Sequence, residues 1–289
     1  MRSYSEPDRP PLRVDDLRRE LVVDDSLWSR LEVVEETGST NVDLIAAARE
    51  GEPEGMVLVA EYQSAGRGRL DRTWESPPRA GLTVSVLLRP GAAGRDWPEV
   101  PHKRWGWLPL LTGVALVEAV AQVTEVAATL KWPNDLLVGD RKCGGILLDV
   151  HEDAVVIGVG LNVSLRAEEL PPDPPWGLGA TSLLVAGATN LDRSALLVSL
   201  LRELETWYRR WRATGGDAEG CGLRAAYLRA CDTVGRRVRV LLPGGGELAG
   251  TAIMVDADGR LVVRRRDGDT RAIASGDILH VRGFSDSVA

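Results

Sequence analysis

Apolar positions along the chain switch between two spacings, and the switches mark the elements. Leu31-Glu32-Val33-Val34-Glu35 reads as a strand. Thr37-Gly38-Ser39-Thr40-Asn41 interrupts it, after which Val42, Ile45 and Ala46 form a helical stripe that ends at Gly51. Thr40 and Asp43 have the spacing of a capping box at the start of that helix. Met56 to Tyr62 is a nearly unbroken apolar run and predicts a buried strand, and Leu82 to Leu88 predicts another. A loop over 90–105 separates this from a plain core helix over Trp107 to Val123, marked by Leu108, Leu111, Ala115 and Leu116. Val126 to Leu130 reads as a strand, and Pro133 ends its ladder by removing a donor and keeping Trp132 extended. Leu136 to Lys142 reads as a hairpin turned at Gly139-Asp140, and Ile146 to Val150 and Val155 to Val163 as further strands.

Residues 165–178 contain Pro171, Pro172, Pro174 and Pro175 and no periodicity, which predicts a long loop of the kind that covers a site. Asp192 to Arg212 is strongly amphipathic, with Leu196, Leu197, Leu200, Leu204, Trp207 and Trp211 on one side, and a shorter helix follows over Leu223 to Ala230. From Val234 the pattern becomes short alternating runs. They are split by Gly244-Gly245-Gly246, Asp258-Gly259 and Asp267-Gly268, the mark of a small antiparallel barrel of meander type. At the other end, residues 1–11 are polar with Pro7, Pro10 and Pro11, which predicts disorder. One short helix with Leu17 and Leu21 fits in 12–31. The expected division is an extension over 1–31, a main domain over 32–231 and a small domain over 232–289.

Composition narrows the classes. The 289 residues are 44% hydrophobic, enough for a sizeable core, and the net charge of -7 argues against a general nucleic-acid binder. Cys143, Cys221 and Cys231 have no paired spacing, and His102, His151 and His280 are scattered, so neither a zinc ribbon nor a disulfide framework is supported. No signal peptide is evident and no apolar run reaches membrane-spanning length, so a cytoplasmic, reduced protein is expected.

The chemistry concentrates in Ser64-Ala65-Gly66-Arg67-Gly68-Arg69-Leu70-Asp71-Arg72-Thr73-Trp74. Three arginines on a glycine-rich loop beside a strand read as an anion-binding loop, since the planar guanidinium suits phosphate. There is no GxxxxGK[ST], no GxGxxG opening a helix and no GxSxG. What remains is Arg, Lys, Gln, Asn and Trp around glycines, a set suited to stabilising phosphate charge more than to general acid–base work.

Gly38-Ser39-Thr40-Asn41, Gln63 to Arg69, Arg72-Thr73-Trp74, Lys131-Trp132-Pro133-Asn134-Asp135, Arg141-Lys142, Gly144 to Leu147 and Gly158 to Asn162 follow one another in this order. Together they resemble bacterial biotin protein ligases over about residues 33–282. The resemblance implies an α/β fold of α+β type: a mixed, largely antiparallel sheet with helices on one face, followed by a small SH3-like barrel. It implies two steps, formation of biotinyl-5'-AMP from biotin and MgATP, then transfer to a lysine of a biotin carboxyl carrier domain of an acyl-CoA carboxylase. Carried over position by position, biotin would be held by Ser39, Thr40, Asn41, Gln63, Gly66, Arg67, Gly68, Trp74, Lys131, Gly144 and Gly145. The nucleotide would meet Arg67, Arg69, Arg72, Trp74, Asn134, Lys142 and Asn162, some of them near its Mg²⁺, with no metal site of the protein's own. Lys131, Arg67 and Arg69 would carry the catalysis. Neither nucleic acid nor membrane is expected as a partner, since 1–31 is too short for the winged helix of biotin-responsive repressors. Lipoate ligases and octanoyl transferases resemble this fold without sharing these motifs, and a non-catalytic biotin-binding module would be favoured by loss of Lys131. One departure stands out: Leu70-Asp71 occupies positions where many members continue with Arg-Gly, which should stiffen the loop.

Overall fold

The computed structural model describes residues 9–70, 72–93, 97–174, 177–242 and 245–280. Part of the expected disordered start (1–8), Asp71, Pro175, Gly244 and the chain end from 281 lie outside the described residues.

The main sheet has seven strands in the order β1-β2-β3-β7-β6-β5-β4. They are β1 (Arg30–Val34), β2 (Met56–Ala60), β3 (Gly81–Leu88), β4 (Thr129–Lys131), β5 (Asp135–Val138), β6 (Arg141–His151) and β7 (Ala154–Asn162). Only β1 and β2 run parallel; each remaining neighbour pair is antiparallel. The helices are α1 (Val14–Leu21), α2 (Thr40–Arg49), α3 (Leu108–Thr124), α4 (Arg193–Ala213) and α5 (Leu223–Ala230).

Side chains alternate across the sheet, so the composition of each face decides what covers it. Val57, Val59, Val84, Val86, Val155, Ile157 and Val159 join the large core under α1, α3, α4 and α5. Leu58, Leu87, Ala154 and Val156 point the other way and pack with Leu44 and Ala48 of α2. The helices are therefore on both faces, not one as expected. The reason is that α2 covers only one end of its face and leaves the rest of it, where β7 is glycine, open for a site.

α3 is helical with its preceding 3₁₀ turn over His102–Thr124, 23 residues apolar enough to cross a membrane by length and composition. The sequence reading had found no run of that length. Leu108, Leu111, Val114, Ala115 and Leu116 of this helix are buried in the core, which accounts for its composition. α4 starts where Asp192 accepts hydrogen bonds from the N–H groups of Ser194 (2.8 Å) and Ala195 (3.1 Å), a cap that also suits the positive helix end.

The second sheet is antiparallel, ordered β11-β10-β9-β8-β12. Its strands are β8 (Arg237–Leu241), β9 (Glu247–Val255), β10 (Leu261–Arg264), β11 (Thr270–Ile273) and β12 (Asp277–His280). Two buried indoles stitch it to the main body: Trp107 donates to Ala257 O (2.9 Å) and Trp132 to Gly259 O (3.2 Å). Trp132 is thus a core residue. Gly259 sits at φ +80° with its Cα face against Gly106, where a Cβ would come within 2.7 Å of backbone, so this turn requires glycine twice over.

Candidate functional site

The floor of the site is one transverse row of the main sheet. Ala60 pairs with Thr83, Thr83 with Gly160, Gly160 with Gly145, Gly145 with Asp135 and Asp135 with Lys131. The next row is Ser85, Gly158 and Leu147. Two glycines on alternate positions of β7 thus face the same way, and they strip side chains from the middle of the floor. The space is filled by groups from above. A Cβ on Gly160 would lie 2.5 to 2.8 Å from three atoms of the Trp74 indole, and one on Gly158 would lie 2.2 Å from Asn41 Oδ1.

One wall is the start of α2. The expected capping box between Thr40 and Asp43 does not form. Ser39 is the cap residue and makes no side-chain cap bond, while Asp43 accepts from Thr37 Oγ1 at 2.5 Å. Thr40 is instead turned to Gln63: its N–H donates to Gln63 Oε1 at 2.8 Å and its Oγ1 lies 3.0 Å from the same oxygen. Ser39, Thr40 and Asn41 are all buried polar residues. They leave a hydrogen-bonding surface beside the positive end of a helix.

The roof is a short hairpin. Trp74 N–H donates to Gly66 O (2.9 Å), Gly68 N–H donates to Arg72 O (2.7 Å), and Arg67 pairs with Thr73. A Cβ on Gly66 would lie 2.2 Å from Trp74 O, so the two arms could not close with any other residue there. Among the described residues Arg67 has no charged partner, and it lines the cavity. Arg69 and Arg72 reach outward to the second sheet. Arg69 donates to Asn134 Oδ1 (3.0 Å) and Ser275 Oγ (3.0 Å), and Arg72 makes an ion pair with Asp277.

The far end of the floor holds a charge cluster. Asp135 Oδ1 is 2.7 Å from Lys142 Nζ, and its Oδ2 is 3.3 Å from Lys131 Nζ. Burial alone would raise the Asp135 carboxyl, but Lys142 and Lys131 together outweigh it and hold it below the usual carboxylate range. Burial draws the Lys131 ammonium below its ordinary value, with Asp135 opposing. Arg69 is likewise drawn down, chiefly by burial. Two ammoniums, one carboxylate and the free Arg67 leave the site positive, and Lys142 also lies 5.9 Å from the Trp74 ring centre. The cleft between floor, wall and roof is open at its mouth.

Of the residues that the resemblance singled out, Ser39, Thr40, Asn41, Gln63, Arg67, Gly68, Arg69, Trp74, Asn134, Lys142 and Gly145 line this cavity. Gly66 supports it from behind, and Lys131 stands in the floor row beyond Asp135. Three fall elsewhere. Gly144 has the opposite pleat to Gly145, and its Cα face meets Leu136 and Leu161 in the core. Asn162 is buried and spent on the Thr181 carbonyl (2.9 Å). Arg72 is drawn away by Asp277.

The sequence reading did not assign Asp135, Thr83, Ser85, Gly158 or Gly160. The alternate glycines of β7 were a usable signal, because a strand that drops its side chains on one face invites something to lie there. Among the described residues no three His, Cys, Asp or Glu side chains form a metal-binding group. The carboxylate nearest the cations is already paired with two of them, so these donors do not fit a metal cage.

Comparison with known proteins places this geometry. Residues 36–162 match the model of the biotin/lipoate A/B protein ligase family, and 233–281 match the biotin protein ligase C-terminal domain. The biotin–[acetyl-CoA-carboxylase] ligase of Mycobacterium tuberculosis is 42% identical over 95% of this chain and 97% of its own. The bifunctional ligase/repressor BirA of Escherichia coli is 31% identical over 86% of this chain and 72% of its own. The structure of the Aquifex aeolicus biotin protein ligase in complex with biotin and ATP superposes with a TM-score of 0.67 at 26% identity, covering 89% of this chain and all of that one. With a relative this similar over almost the full length of both chains, and both family models matched in order, this chain belongs to the biotin protein ligase family.

Proposed function

We propose that the protein activates biotin with MgATP as biotinyl-5'-AMP and transfers the biotinyl group to a lysine of a carboxyl carrier domain, in a cytoplasmic setting. The observation that carries this reading is the floor row: a glycine strip under Trp74 leads from the polar α2 wall straight to Lys131 and Lys142. A ligand with a polar ring at one end and a carboxylate at the other fits that line. The ring would meet Ser39, Thr40 and Gln63, the body would lie on Gly160 and Gly145 under the indole, and the carboxylate would reach the ammoniums.

In the first step a carboxylate oxygen of biotin attacks the α-phosphorus of ATP, the P–O bond to the β-phosphate breaks, and pyrophosphate leaves with the electron pair. Two anions must approach, and the cations of the site lower that repulsion most where water is excluded. Lys131 and Lys142, each paired with Asp135, serve as fixed positive charge. Arg67 stands ready for a phosphate oxygen, and the hairpin above closes water out. In the second step the acceptor's neutral lysine amine attacks the acyl carbon, an amide forms, AMP leaves, and the amine loses a proton. We assign the main domain over 32–231 to this chemistry and the second domain over 232–289 to holding the roof hairpin through Ser275 and Asp277.

The test is exchange of labelled pyrophosphate into ATP. Exchange that requires biotin, with lipoate inert, is expected. Exchange that is independent of biotin, or driven by lipoate, would contradict the reading.

A further inference from the structure

A chain of largely buried polar groups lies behind the α2 wall and meets the cavity at Gln63, Thr40 and Asn41. Ser85 on β3 is fully buried. Its Oγ lies 2.6 Å from Thr40 Oγ1 and 2.6 Å from Asn41 Oδ1. Asn41 Nδ2 donates to Asp149 Oδ2 at 2.8 Å. The chain thus runs Gln63, Thr40, Ser85, Asn41, Asp149, from the cavity to β6.

Counting protons fixes its direction. The Asp149 carboxylate only accepts, so the Asn41 amide must turn its NH₂ toward β6 and its oxygen toward Ser85. That oxygen has no proton, so the single hydroxyl proton of Ser85 goes to it. The short Ser85–Thr40 contact is then made with the Thr40 proton. The Thr40 hydroxyl also reaches Gln63 Oε1 at 3.0 Å, beside the Thr40 N–H at 2.8 Å, so its proton is held between Ser85 and Gln63, away from the cavity. Thr40 Oγ1 is left with lone pairs only on its cavity side. Gly158 is what lets Asn41 lie flat in this position, since a Cβ there would be 2.2 Å from Asn41 Oδ1.

We infer that Ser85 and Asp149 are positioning residues that hold the Thr40 hydroxyl as an acceptor, so that the site selects a ligand ring presenting an N–H at that point. The inference rests on the proposed biotin reading, whose cyclic urea supplies such N–H groups, and it explains discrimination against acids that carry a disulfide or a bare alkyl chain instead. Neither residue touches the ligand or the reacting atoms.

The experiment compares wild type, Ser85→Ala and Asp149→Ala in biotin-dependent pyrophosphate release, with KM for biotin and ATP measured separately. Without the Ser85 hydroxyl the Thr40 hydroxyl keeps Gln63 Oε1 as its one fixed partner and is no longer held from the β3 side. We expect KM for biotin to rise about tenfold in Ser85→Ala and about threefold in Asp149→Ala. KM for ATP and kcat should stay within about twofold. Biotin methylated on the ureido nitrogens adds a readout that a merely structural role would not move: the preference for biotin over it should shrink in Ser85→Ala. KM for biotin within twofold of wild type in either folded variant would overturn the inference, as would an equal rise in KM for ATP. If Ser85→Ala fails to fold, Asp149→Ala, at the half-exposed end of the chain, decides alone. A wild-type protein that does not turn over biotin at all would strike the functional reading and not the relay.

Discussion

Replacing Gly160 by alanine should damage ligand binding far more than it damages the fold. The new Cβ would sit 2.5, 2.7 and 2.8 Å from Cε2, Cζ2 and Nε1 of Trp74. Ordinary carbon contact begins near 3.5 Å, so the indole must retreat by roughly 1 Å. Gly160 cannot move, because β7 is paired on both sides with β3 and β6. Trp74 is the softer partner: it hangs on a surface hairpin held by a few backbone bonds, the Arg67–Thr73 pairing and the reach of Arg69 and Arg72 to the second sheet. Overpacking of this kind costs about 1–3 kcal/mol. Drawn from closure of the roof, that is about a 5- to 150-fold loss of biotin affinity. Calorimetric titration of Gly160→Ala with biotin measures it, and a thermal melt checks that the fold holds. The same substitution in a Trp74→Ala background should cost little more than Trp74→Ala alone, since the clash is then gone. Binding of biotin by Gly160→Ala within twofold of wild type would refute the reasoning, as would full additivity of the two substitutions.

Further outcomes follow from the same geometry. Lys131→Ala should slow biotinyl-AMP formation in single turnover by a hundred- to a thousand-fold, the ~3–4 kcal/mol that a preorganised charge typically contributes, and Lys131→Arg should recover part of it; a rate within threefold of wild type would rule the role out. Arg72→Ala and Asp277→Ala should each speed amide hydrogen exchange in the hairpin over 66–74, with a coupling of no more than about 1 kcal/mol, as for exposed pairs; unchanged exchange there would show that the second sheet does not hold the roof. His280 is held at about 4 against its ordinary 6.5, first by burial and then by repulsion from Lys131. The unfolded chain therefore takes up the proton at higher pH than the folded one. The stability that this group contributes is whole above pH 6.5 and is lost as pH falls from 6.5 to 4. Melting temperatures of wild type should fall across that window more steeply than those of His280→Gln, and parallel curves would contradict this.

Much of the fold was legible because its elements repeat their patterns cleanly. α4 and α5 fall where apolar spacing set them, and the strands of the second sheet lie between their glycine turns. What was not legible depended on the third dimension. That α2 covers the opposite face follows from Leu58, Leu87 and Val156 pointing away from their neighbours, and continuous apolar runs conceal that alternation. The capping box failed because Gln63, far along the chain, competes for Thr40. Gly144 and Gly145 are adjacent letters with opposite pleats, so only one faces the cavity. Leu70, where many members have arginine, stands at φ 55°, a left-handed shape that side chains other than glycine adopt at a cost, and Asp71, where they have glycine, lies outside the described residues. The resemblance marked Lys131 and Lys142, and Asp135 binds them into one cluster. These are two of only three lysines in a chain that otherwise uses arginine for its positive charge. A compact ammonium beside a shared carboxylate is what the floor has room for.

The central claim is that this site joins biotin to a protein amine at the expense of ATP. Its most direct measurement is the mass of a purified carboxyl carrier domain after incubation with the protein, biotin and MgATP. The account predicts a gain of one biotinyl group on a single lysine of the carrier, abolished when ATP is left out and absent when lipoate replaces biotin. An unchanged carrier under conditions where a known biotin ligase modifies it, or a carrier modified with lipoate, would contradict it.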